Sequence, residues 1–106
     1  ERVVLAFDAG AVLNPIGLEN QIQGAIVQGI GGALFEKVEG VVKPRLSAYR
    51  VPRFSDVPKI EVILVDRRDL PSAGAGESPI TGIAPAIAGA IEMATGKRLM
   101  AMPLVL

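Results

Sequence analysis

The 106-residue sequence predicts an α+β fold in which two helices pack on a small mixed β-sheet. Three observations carry that prediction. Two apolar runs rich in β-branched residues, Val3–Phe7 and Ile60–Val65, read as strands. Two other segments place isoleucine at every fourth position, Ile22, Ile26 and Ile30 in one and Ile83, Ile87 and Ile91 in the other, which is the spacing of one helical face. Turn-forming residues separate these segments, with 12 glycines and 8 prolines in the chain.

The elements follow in order. Arg2–Asp8 is a buried strand ended by Asp8-Ala9-Gly10. Asn14 is an N-cap, and Pro15 occupies the first helical position, where a missing N–H costs nothing. The apolar repeat, continued by Leu34 and flanked by Val27 and Ala33, predicts a helix from about Pro15 to Lys37, with Glu19 early and Lys37 late in keeping with the helix dipole. A hairpin is expected over Val38–Pro44, turning at Glu39-Gly40, and Ser47–Val57 reads as irregular. Lys59–Val65 is the second strand and Asp66–Ala73 a polar connection. Ser78 and Pro79 predict the start of a second helix, and Gly96 its C-terminal stop. Leu99–Leu106 reads as a last strand, interrupted at Pro103.

Composition narrows the function. The chain has no Cys and no His, which excludes disulfides, the usual zinc and haem ligands, and every Ser–His or Cys–His catalytic pair. Eleven basic residues balance eleven acidic ones, so no positive field gathers phosphates and no nucleic-acid partner is expected. No apolar stretch reaches the roughly 20 residues of a membrane span. Half the residues are hydrophobic but only 4% are aromatic. A small aliphatic domain of this kind does not hide all its apolar surface, and a partner surface is expected. With strand-like sequence starting next to Glu1 and an apolar tail at Met102–Leu106, the chain reads as a segment of a longer polypeptide. The compartment is not legible.

Two constellations carry candidate chemistry. Glu77 follows Gly74-Ala75-Gly76 and precedes a predicted helix start, so a carboxylate stands where glycines let a substrate approach closely, as a general base requires. On position and composition alone, an acidic residue at a helix start is more often there for the helix dipole. Gln21 and Gln28, seven residues apart, share a side of a helix that also carries Gly24, Gly29, Gly31 and Gly32. Those glycines admit either a flat ligand or a closely packed neighbour. A phosphate-loop reading fails, because Pro79 stands where the dinucleotide fingerprint needs its third glycine and no Lys-Ser/Thr follows. Asp8, Asp56, Asp66 and Asp69 lack metal-loop spacing and read as caps and turn residues, and Tyr49 as a core-edge residue.

These segments also occur in a familiar order. Asp8-Ala9-Gly10, Asn14-Pro15, Glu19-x-Gln21-x-x-Gly24, Gln28-Gly29-x-Gly31 and Glu36 form one block. Tyr49-x-x-Pro52, Asp56-x-Pro58, Gly74-x-Gly76-Glu77, Pro85-Ala86-Ile87, Ala90-Ile91, Thr95-Gly96 and Pro103 continue it. Over essentially its whole length the chain resembles the C-terminal end of the molybdopterin-binding large subunit of the xanthine dehydrogenase/aldehyde oxidase family, in its isoquinoline 1-oxidoreductase β-subunit form.

The resemblance implies that residues 1–106 are the C-terminal portion of a larger molybdopterin-binding domain. It implies a molybdenum hydroxylase that oxidises aldehydes or N-heterocycles with water as the oxygen source. The molybdenum is held by the dithiolene of a pterin cofactor, and a glutamate acts as general base. By position, Glu77 corresponds to that catalytic glutamate and Gln21 to the glutamine that touches the pterin; Gln28, Gly24 and Gly76 fall in the adjoining cofactor-binding parts. Asn20 and Ser78 depart from the usual residues at their positions without removing a functional group. The implied partners are the remainder of the large subunit and an iron–sulfur subunit or domain that accepts electrons. The isolated chain is expected to be inactive, to retain no molybdenum–pterin cofactor and to self-associate. The alternative is a cofactor-free structural or assembly module that pairs with itself or with the rest of the subunit.

Overall fold

The computed structural model describes residues 1–37 and 45–106. Strand β1 spans Arg2–Asp8, helix α1 Pro15–Leu34, strand β2 Lys59–Val65 and helix α2 Ile83–Thr95, with short 3₁₀ turns at Leu46–Ala48, Phe54–Asp56 and Ser78–Ile80. The two-helix, small-sheet architecture is the expected one. β1 and β2 pair in parallel, Arg2 opposite Lys59 through Asp8 opposite Val65. Parallel neighbours need a crossover, and α1 lies within it.

The sequence reading anticipates a mixed sheet, but the strands among the described residues are these two, both parallel. Of the two segments expected to add strands, the Val38–Pro44 hairpin lies outside the described residues. The Leu99–Leu106 tail is not a strand. Pro103 cannot donate to a ladder, and the Leu104 N–H goes instead to the Ala33 carbonyl near the end of α1 (2.7 Å).

α1 starts where its cap dictates: the Asn14 side chain accepts from the Gly17 N–H (2.9 Å) and Pro15 follows. It ends at Leu34, one turn short of the expected Lys37, as the Phe35 and Glu36 N–H groups both converge on the Gly31 carbonyl. α2 begins later than Ser78 because Pro85 has no N–H for the Thr81 carbonyl, so a helix continuous from residue 78 would be broken there. Pro85 instead falls in the first turn of α2, where its N–H is not needed. Gly96 closes α2 at φ 72°, donating its N–H to the Glu92 carbonyl (2.8 Å).

The core is centred on α1. Ile22, Ile26 and Ile30 are buried with Ile83 of α2. One face of the sheet packs on this cluster through Val3, Leu5, Phe7, Ile60, Val62 and Leu64. α1 covers the sheet and α2 lies against α1. The other face of the sheet is bare: Val4 is 48% and Ile63 47% exposed. The sequence reads Arg2–Asp8 as a buried strand, whereas the chain covers only one side of it and of its partner. An uninterrupted apolar run such as Val3–Phe7 belongs to a parallel sheet covered on both faces, while β2 carries Glu61 on the bare face. The accessible surface is 7603 Å², against about 5,700 Å² for an ordinary folded protein of this mass. The radius of gyration is 15.9 Å, against about 13 Å for a compact chain of this length.

Polar residues settle the loops. Asp8 accepts from the Gly10 N–H and Asp66 from the Val12 N–H, while Asp56 accepts from the Arg53 N–H and the Arg50 guanidinium. The Val12 N–H and the Arg68 guanidinium hold the Asp66 carboxyl below its ordinary range. These aspartates are turn and cap residues, as expected, and no group of three potential metal ligands occurs among the described residues. Tyr49 is half-buried and donates its phenol to Glu36 (2.6 Å). No helix among the described residues is long and apolar enough to cross a membrane.

Candidate functional site

The site is built from one face of α1 and the turn that precedes α2. Gln21, Gly24, Ala25 and Gln28 fall at helical steps of three and four, so they share a side of α1. Facing them are Gly76, Glu77 and Ile80, and the two walls enclose an open concavity of about 320 Å³. All five residues singled out in the sequence, Gln21, Gly24, Gln28, Gly76 and Glu77, line this one concavity. Sequence reasoning missed Ala25 and Ile80. Ala25 was recoverable, lying four residues after Gln21 and three before Gln28. Ile80 gave no local signal, because a tertiary turn brings it to the wall.

The turn reaches the helix through three anchors. The Ala73 N–H donates to the Ala9 carbonyl (2.8 Å), which fastens its start to the end of β1. Gly74 then adopts φ 77°, a left-handed conformation that favours glycine. The Gln21 Nε2 donates to the Gly76 carbonyl (2.9 Å). Beyond Glu77, Pro79 is fully buried. A second concavity of about 330 Å³ lies along the same helix, lined by Val12, Leu13, Leu18, Gly74 and Ala75 among others. Gln21 and Gly76 line both concavities, so their hydrogen bond stands between the two.

The glycines of α1 divide by role. A Cβ on Gly29 would meet the Ile83 Cβ at 2.7 Å, and one on Gly31 would meet the Pro52 Cγ at 2.8 Å. Those two exist for packing. Gly24 and Gly76 have nothing within 4 Å of a built Cβ and open onto the concavity. Neither the Gln28 amide nor the exposed Glu77 carboxylate makes a hydrogen bond or ion pair among the described residues. The concavity is thus flanked by unengaged amide and carboxylate groups beside side-chain-free backbone, an arrangement suited to a flat ligand rich in hydrogen-bonding edges.

A helix face and a turn bearing Glu77 meet over an open concavity, which is the candidate site of this α+β fold. The chain belongs to the molybdopterin cofactor-binding domain family, whose model matches residues 1–58. It is 38% identical over 97% of its length to the putative xanthine dehydrogenase molybdenum-binding subunit of Escherichia coli K12. It is 37% identical, again over 97% of its length, to the isoquinoline 1-oxidoreductase subunit beta of Brevundimonas diminuta. The chain spans 15% and 14% of those two proteins. Among solved structures it superposes on quinoline 2-oxidoreductase from Pseudomonas putida 86 with a TM-score of 0.83 and 27% identity, covering 95% of this chain and 14% of that one. A Cu,Mo-CO dehydrogenase shares the fold at a TM-score of 0.77 and 19% identity, over 92% of this chain and 14% of the other.

Proposed function

We propose that this chain is the C-terminal part of the molybdopterin-binding domain in the large subunit of a molybdenum hydroxylase, and that it supplies the glutamate general base. The observation that carries the reading is the gathering of Gln21, Gly24, Gln28, Gly76 and Glu77 around one concavity. Those residues fit a pterin. Two glycines leave room for a flat ring, and two side-chain amides offer donors and acceptors to its edges. The chain has neither Cys nor His, so the family's arrangement, in which the pterin dithiolene holds the metal, asks no soft ligand of it.

When bound, the molybdenum–pterin group supplies the two-electron redox centre. The chain's own contribution is proton transfer and placement. Gln21, Gln28 and the backbone at Gly24 and Gly76 bind and orient the cofactor. Glu77, free of competing ion pairs among the described residues, takes the proton from the water-derived oxygen nucleophile at a carboxylate oxygen. Attack of that oxygen on an electrophilic carbon of an aldehyde or N-heterocycle would break the carbon's C–H bond, and the hydride's two electrons would pass to the bound cofactor, for which an iron–sulfur subunit or domain would be the onward acceptor. The uncovered face of the sheet, with Val4 and Ile63 about half exposed, supports docking on the remainder of the large subunit.

The test is Glu77→Gln in the intact subunit. An amide keeps the shape of the side chain but cannot accept the proton, and general-base catalysis is worth about 100- to 10,000-fold. Turnover per bound molybdenum falls by that factor with molybdenum content unchanged. Full turnover in the variant overturns the proposal.

A further inference from the structure

We propose that Gln21 is a positioning residue, whose side-chain amide clamps the Gly74–Glu77 turn and thereby sets where the Glu77 carboxylate stands. The inference rests on the reading of Glu77 as general base and goes beyond cofactor contact by Gln21. Three observations carry it. The turn contains two glycines, neither with a neighbour within 4 Å of a built Cβ, so no side-chain packing immobilises it at Gly74 or Gly76. It is fixed outside this stretch, at Ala73 by the Ala9 carbonyl and at Pro79 by complete burial. Among the described residues, the Glu77 carbonyl accepts from the Ile80 N–H of the 3₁₀ turn that follows (3.2 Å), and the Gln21 Nε2 to Gly76 carbonyl bond of 2.9 Å is the one hydrogen bond joining residues 74–77 to a sequence-distant element.

The clamp acts on the residue immediately before Glu77. Its anchor is rigid, because Gln21 sits next to Ile22, which is fully buried in the core. Only one N–H of the Gln21 amide is used, and the Oε1 atom has no partner among the described residues. The same side chain is therefore able to hold the turn and present a second donor and an acceptor to a ligand. Without the clamp, the glycine-flanked segment gains conformational freedom and the carboxylate spends less time in the productive geometry.

The experiment uses the intact subunit with Gln21→Met, which keeps side-chain length but removes the donor, alongside Glu77→Gln. Amide hydrogen exchange of the peptide covering residues 74–80 is measured in the cofactor-free subunit, and kcat, KM and molybdenum content in the loaded one. Release of the turn predicts exchange about fivefold faster at the protected amide of that peptide, the Ile80 N–H that donates to the Glu77 carbonyl (3.2 Å). Turnover per molybdenum falls by at least a similar factor with KM little changed. Unchanged exchange overturns the clamp. Faster exchange with unchanged kcat per molybdenum overturns the positioning role, as does a loss of activity that merely tracks lost molybdenum. If Glu77→Gln keeps full turnover, the general-base reading fails, the positioning role falls with it, and the clamp is judged by exchange alone.

Discussion

Two glycines of α1, five residues apart, have opposite reasons to exist, and alanine scanning separates them. Gly24 has open space where a Cβ would go, whereas Gly29 would drive a Cβ to 2.7 Å from the Ile83 Cβ. Replacing glycine by alanine inside a helix gains about 0.8–1 kcal/mol from propensity. Gly24→Ala therefore stabilises α1 by about that amount and slows local exchange of its amides roughly fourfold. Gly29→Ala receives the same gain, but Ile83 is 4% exposed and its Cβ is fixed to the backbone, so the neighbour has nowhere to go. Overpacking of this kind costs about 1–3 kcal/mol, which outweighs the gain over most of that range. Hydrogen exchange of peptides from residues 15–34 in the intact subunit reads both effects. Gly24→Ala should at the same time lower molybdenum content, because its methyl group enters the concavity. Greater stability with cofactor content undiminished would refute the claim that Gly24 is kept for a ligand, and a stabilised Gly29→Ala would refute the packing argument.

Other expectations follow from the same structure. The isolated 106-residue chain should elute ahead of an 11.1 kDa monomer on size-exclusion chromatography, and Ile63→Lys, placed on the bare face of the sheet, should shift it towards monomer without loss of helical signal. Purified alone, the chain should contain no stoichiometric molybdenum, because its residues form only part of the proposed cofactor site. Tyr49 should ionise above 10.0, since its hydrogen bond to Glu36, its burial and the Glu36 charge all favour the neutral phenol. Its contribution to stability is then complete below pH 10.0 and lost as pH rises through the folded-state value. Ultraviolet titration of this single tyrosine checks the direction, and Glu36→Gln should lower the value towards the ordinary one.

Local chemistry was the legible part of this fold. Arg2–Asp8 and Lys59–Val65 are strands at the expected bounds, because β-branched runs with polar stops leave little alternative. Asn14-Pro15 and Gly96 mark helix ends through cap geometry that needs no tertiary partner. The misread boundaries have local causes too. Ser78-Pro79 looks like a helix start, but Pro85 delays α2 to Ile83. The tail is apolar enough for a strand, yet its Leu104 N–H is taken by the end of α1. The site was legible as residue types and order: Gln21, Gly24, Gln28, Gly76 and Glu77 converge although more than forty positions separate the two groups. Which helix glycines pack and which face open space was not legible, because that depends on Ile83 and Pro52, brought in from distant sequence. The Gln21–Gly76 bond was hidden for the same reason.

A crystal structure of the intact, molybdenum-loaded subunit tests the central claim most directly. The account predicts the pterin lying against Gln21, Gly24 and Gln28, with a Glu77 carboxylate oxygen within about 2.6–3.2 Å of the group it deprotonates, directly or through one water. A cofactor seated elsewhere, with Glu77 turned to bulk solvent and the concavity filled by other parts of the polypeptide, would contradict it.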